Sequence, residues 1–90
     1  MEQKKYILTL EINGEKTVSE GATLDEAIEN LKAPEKYGTK GVFTMEYDGK
    51  ISKPIFLFVT QMKKLFGERI GLGYEAQRDV LIKKLMAMYS

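Results

Sequence analysis

The chain reads as a small α+β domain: two β-hairpins forming one antiparallel sheet, a helix between them, and one or two C-terminal helices, in the order ββαββ(α)α. Three observations predict this. The dipeptides Asn13-Gly14 and Asp48-Gly49 each sit inside a run of alternating apolar residues. A capped amphipathic segment lies between those runs, and a long apolar-periodic segment closes the chain after three glycines.

The first hairpin is "KKYILTLEINGEKTVSEG". Tyr6, Leu8, Leu10 and Ile12 alternate with Ile7, Thr9 and Glu11, which is the two-residue period of a half-buried strand. Asn13-Gly14 supplies the two positive φ angles of a type I′ turn. That turn sets Ile12 opposite Glu15 and Glu11 opposite Lys16. In "ATLDEAIENLKAP", Thr23 takes the N-cap position and Glu26 follows at capping-box spacing. Leu24, Ala27, Ile28 and Leu31 make one apolar stripe, and Pro34 ends the helix by disfavouring helical geometry at Ala33. "KGVFTMEYDGKIS" is the second hairpin, turning at Asp48-Gly49.

"SKPIFLFVTQMKKLFG" admits two structures. A helix starting near Pro54 aligns Ile55, Phe58, Val59, Met62, Leu65 and Phe66, with Gly67 just beyond it, and exposes Phe56 and Leu57. A strand over 55–59 puts Ile55, Leu57 and Val59 on one face and Phe56 and Phe58 on the other, with a short helix from Thr60 to Phe66 following. Pro54 then sits at an edge or a bulge. Either way the run carries surplus apolar surface, which either marks an interface or is covered by the last helix wrapping over it. The glycines Gly67, Gly71 and Gly73 break the chain before a last helix from about Tyr74 to Tyr89. Tyr74, Leu81, Leu85 and Met88 share one face of it, widened by Ile82, Met86 and Tyr89, and Arg78 falls within that face. A guanidinium there needs a carboxylate, an aromatic face or the edge of the fold.

Ninety residues suit a single domain over 1–90 with a modest core. With no cysteine and no histidine, disulfides, thiolate or Ser–His catalysis and the usual zinc ligands are all excluded. The aspartates sit at a helix start, a turn and a helix interior, with no metal-loop spacing. "GERIGLGYE" lacks the Lys and Ser or Thr that a phosphate loop requires. No enzyme, cofactor or metal is expected. "MEQKKYILTL" has no signal-peptide h-region, and the apolar run is far shorter than the roughly 20 residues of a membrane span, so a cytoplasmic protein is the expectation. The net charge of +1 is unevenly spread: residues 1–50 carry seven lysines against ten acids, residues 51–90 seven basic residues against three acids.

"INGEKTVSEGATLDEAIENL" resembles the hairpin-and-helix opening of β-grasp proteins and of HicB-type antitoxin domains. The chain ends Met88-Tyr89-Ser90 where β-grasp sulfur carriers have Gly-Gly, and it lacks the proline-rich turn of HicB-type domains, so neither activity transfers. "TLDEAIENLKAP", "TKGVFTMEYDGK" and "QMKKLF" are similar to segments of small phage-encoded accessory proteins. That resemblance implies a non-enzymatic protein acting in particle assembly or against a host complex.

The expected function is a protein-interaction module that self-associates as a homo-oligomer. Phe56, Leu57, Met86 and Tyr89 are its expected apolar contacts and Arg78 its polar contact. Nucleic-acid binding through Lys63, Lys64, Arg69, Lys83 and Lys84 is the alternative, with Arg78 in the same basic half.

Overall fold

The computed structural model describes residues 4–67 and 69–89. In chain order these form β1 (Tyr6–Ile12), β2 (Glu15–Gly21), α1 (Leu24–Asn30), β3 (Lys40–Tyr47), β4 (Lys50–Ile51), β5 (Ile55–Phe58), α2 (Val59–Phe66) and α3 (Gly71–Tyr89). The α+β architecture is the one the sequence predicts. Its sheet is antiparallel throughout, in the order β2-β1-β3, with β4 and β5 both pairing the second side of β3.

Both turns have the backbone the dipeptides dictate. Asn13 and Gly14 hold φ of 52° and 85°, Asp48 and Gly49 54° and 80°. The first turn sets Ile12 opposite Glu15 and Glu11 opposite Lys16, as expected. At the start of α1 the Glu26 N–H donates to Thr23 Oγ1 at 3.2 Å. The Glu26 carboxylate in turn accepts from the Ala22 N–H at 3.0 Å, so the reciprocal bond reaches one residue further back than a capping box requires. α1 crosses β2 closely, because a Cβ on Gly21 would stand 2.6 Å from the Ala27 nitrogen. The Ser19 hydroxyl, buried at this crossing, donates to the Ala27 carbonyl at 2.6 Å.

The ambiguous run resolves as strand then helix. Ser52 makes the break between β4 and β5: its N–H donates to the Met45 carbonyl at 2.8 Å and its hydroxyl accepts from the Met45 N–H at 3.0 Å. Pro54, which has no donor, follows where the chain leaves the ladder. β5 then resumes pairing with β3, Ile55 opposite Phe43 and Leu57 opposite Gly41. α2 begins at Val59, and the Phe58 N–H donates to Gln61 Oε1 at 2.9 Å.

Alternation puts Leu8, Leu10, Ile12, Phe43, Met45, Ile55 and Leu57 on the covered face of the sheet, where α1, α2 and α3 pack. Ile28, Leu31, Met62, Leu65, Leu81 and Leu85 complete a fully buried core. α3 differs from expectation at both ends. It starts at Gly71, so Gly71 and Gly73 lie within its first turn. Its buried stripe is Tyr74, Gln77, Leu81 and Leu85, while Met88 is exposed. Met88 shares the sector of Gln77 and Leu81 but lies at the helix end, whereas Tyr89 is half-buried and its hydroxyl donates to the Tyr47 carbonyl at 2.6 Å. Tyr47 stacks on Tyr6 at 4.2 Å between ring centroids, which ties the helix end to the first hairpin.

Candidate interaction surfaces

Among the described residues no helix covers the other face of the sheet, so its composition follows from the register alone. One row across the strands is Lys16, Glu11, Val42, Phe56 and another is Glu20, Ile7, Glu46, Ile51. Val18, Thr9 and Thr44 form the row between them. On the central strands these side chains are half-buried by their neighbours. Toward the margins the apolar ones stand free: Phe58 is 64% exposed, Phe56 49%, Ile51 63% and Val18 60%. The Lys40 ammonium lies over the Phe56 ring at 4.5 Å, so a cation already occupies one side of that ring.

The five expected partner contacts do not come together. Phe56 is on the uncovered face. Leu57 is a correction: as the next residue of a strand it points the other way and is fully buried, so it belongs to the core. Arg78, on the α3 face toward α1, has its guanidinium 3.7 Å from Glu29 and over the Tyr74 ring at 5.4 Å. Tyr89 is committed to Tyr47, and burial, then Asp48 and Tyr47, raise its phenol above the ordinary tyrosine pKa. Met86 is exposed on α3, on the helical layer rather than the open sheet face. On this face Phe58, Ile51 and Val18 are exposed residues outside the expected contacts, although the strand reading of 55–59 already set Phe58 beside Phe56. The alternation of each strand carries the signal for them once the strand structure of 55–58 is chosen.

The basic set divides as well. Lys63, Lys64 and Arg69 line a shallow groove of about 240 Å³ with Gly67, Gly73 and Tyr74, and Lys83 and Lys84 are exposed on α3 outside it. Arg69 also braces the fold, since its guanidinium donates to the carbonyls of Glu29 and Leu31, the free acceptors at the end of α1. On α3 three buried polar atoms, Tyr74 Oη, Gln77 Nε2 and Arg78 Nε, have no hydrogen-bond partner among the described residues, and of these residues Tyr74 lines the groove. No group of three or more carboxylates capable of holding a metal occurs among those residues, and no helix among them is long and apolar enough to cross a membrane.

No family model, curated protein or solved structure matches the chain.

Proposed function

We propose that the chain is a non-enzymatic protein-interaction module that self-associates and holds a protein partner on the uncovered face of its sheet, around Phe56 and Phe58. The carrying observation is the division within β5: Ile55 and Leu57 are buried, while two phenylalanines of the same four-residue strand stay about half or more exposed. Burying a phenylalanine side chain is worth roughly 1.5–3 kcal/mol. A partner that accepts both rings in adjacent pockets gains a typical aromatic anchor, with Lys40 at its polar rim. Action in particle assembly or against a host complex is what the resemblance to phage accessory proteins implies.

A photo-crosslinking amino acid placed in turn at Phe56, Phe58 and, as control, Lys84 tests this in cells. Adducts to another polypeptide from the first two positions and not from the third are expected, and their mass separates a second copy from a different protein. Equal yield at all three positions, or none, refutes the assignment of this face.

Nucleic-acid binding is the second reading, favoured by the convergence of Lys63, Lys64 and Arg69 on one groove beside Tyr74. Protein binding is preferred because Arg69 is engaged with α1 and the remaining lysines lie outside the groove.

A further inference from the structure

The sheet has two margins, and they differ. At one margin β5 is short, and its Phe58 N–H is already taken by Gln61 at the start of α2. At the other, β2 presents seven residues, and among the described residues no strand lies beyond it in the sheet order. A two-residue turn closes on a hydrogen-bonded pair, here Ile12 with Glu15, so the bonded pairs that follow are Leu10–Thr17, Leu8–Ser19 and Tyr6–Gly21. The backbone groups of Lys16, Val18 and Glu20 therefore point away from β1. Of these, only the Glu20 carbonyl has a partner among the described residues, the exposed Asn30 side chain at 3.0 Å. The same three residues have exposed side chains on the uncovered face.

We infer that two copies of this chain pair antiparallel along β2, about a two-fold axis at Val18, to make one continuous sheet. The pairing rests on the reading that the chain self-associates, and it names the contact. Outward-facing groups must meet outward-facing groups, so the symmetric registers available set Lys16 against Lys16, Val18, Glu20 or the residue beyond, and Glu20 correspondingly. Centring on Lys16 or on Glu20 places like charges directly opposite each other, which is unfavourable. Centring on Thr17 or Ser19 sets Val18 against a charged residue. Centring on Val18 sets Lys16 against the second copy's Glu20 twice, and Val18 against Val18. Lys16 then lies between two carboxylates, Glu11 of its own copy and Glu20 of the other. The backbone gains the two Val18 bonds and those from each Glu20 N–H to the other copy's Lys16 carbonyl. Asn30 gives way or shares the Glu20 carbonyl for the rest.

The test is light scattering and sedimentation equilibrium over micromolar to millimolar concentrations. Lys16→Glu alone and Glu20→Lys alone each turn two attractive cross-strand pairs into two repulsive ones, and each is expected to weaken dimerisation about thirtyfold. The double variant Lys16→Glu/Glu20→Lys is expected to return to within a few-fold of the wild type. That recovery reads the contact between copies, since within one copy the double variant still sets residue 16 against Glu11 and residue 20 beside Lys5, whose ammonium lies 3.6 Å from the Glu20 carboxylate. Val18→Pro removes an N–H that β1 does not use and is expected to leave a folded monomer by circular dichroism. A wild type that stays monomeric overturns the pairing, and crosslinking from Phe56 still tests the partner surface on its own. A dimer that ignores both charge reversals also overturns it. If Phe56→Asp then dissolves that dimer, the copies meet through the open face, and the proposed function stands without the β2 contact.

Discussion

Leu57→Ala and Phe56→Ala are adjacent substitutions with opposite expected consequences, because β5 points one side chain inward and the next outward. Leu57 is fully enclosed between the sheet and the helices, opposite Gly41 on β3. A Cβ on Gly41 would stand 2.5 Å from Met62 Sδ and 2.7 Å from Leu10 Cδ1, so the neighbourhood of Leu57 is closely packed and collapses poorly around a void. Truncating a leucine in such a site costs about 3 kcal/mol from lost transfer energy plus the cavity left behind. For a chain of this length that lowers the melting temperature by about 15 °C, at roughly 5 °C per kcal/mol. Phe56, half exposed, loses only partial burial and its contact with Lys40, and its truncation is expected to stay within about 1 kcal/mol. Thermal and urea unfolding followed by circular dichroism at low protein concentration measures both. Equal destabilisation by the two substitutions, or a larger loss at Phe56, refutes the register of β5 and with it the exposed aromatic pair.

Arg69→Ala leaves the Glu29 and Leu31 carbonyls without their donor and is expected to destabilise the fold by about 1–2 kcal/mol in urea titration; unchanged stability would return Arg69 to the set of free cations. Tyr89 carries a pH dependence. Its folded-state pKa is raised above the ordinary value near 10, so the stability it contributes is complete below that value and is lost as pH rises through the higher folded pKa. Tyr89→Phe is expected to flatten the alkaline limb of the stability profile, and an unchanged limb would show that another group controls it.

The two hairpins and α1 were legible because their signals are local: two turn dipeptides with the required φ angles and a Thr-x-x-Glu cap. Residues 55–58 were not legible, because four consecutive apolar residues satisfy a buried helix turn and an alternating strand equally. What decides them is Ser52, which closes on Met45 seven residues earlier in sequence and delivers the chain back to β3. The error at Leu57 follows from that open choice, since a helix would have exposed Phe56 and Leu57 together. On α3 the spacing placed Tyr74, Leu81 and Leu85 correctly, yet it set Met88 inside and passed over Gln77. Hydrophobicity ranks methionine above glutamine, but burial at a helix end is set by tertiary ties, here Tyr89 to Tyr47 and the Lys53 N–H to the Met88 carbonyl at 3.1 Å.

The charges on β2 and the aromatic pair on β5 gain a joint meaning from the sheet order. Lysine and glutamate on an edge strand normally discourage pairing with other chains. Set at equal distances on either side of Val18 with opposite sign, they discourage every symmetric register except the one in which each charge meets its opposite. Such pairing puts β2 and its copy at the centre of the combined sheet and leaves the two β5 strands at its outer margins. Seven strand spacings then separate the two Phe56–Phe58 patches, about 33 Å measured across the strands. Both patches lie on the same uncovered side of that sheet, because antiparallel pairing in the sheet plane keeps the helices of the two copies together on the other side. A partner with two matching sites at that span would bind with an avidity that neither patch has alone. Breaking the β2 contact should therefore lower affinity for a bivalent partner while leaving each Phe56 patch intact, whereas Phe56→Asp should remove binding in both the paired and the separated protein.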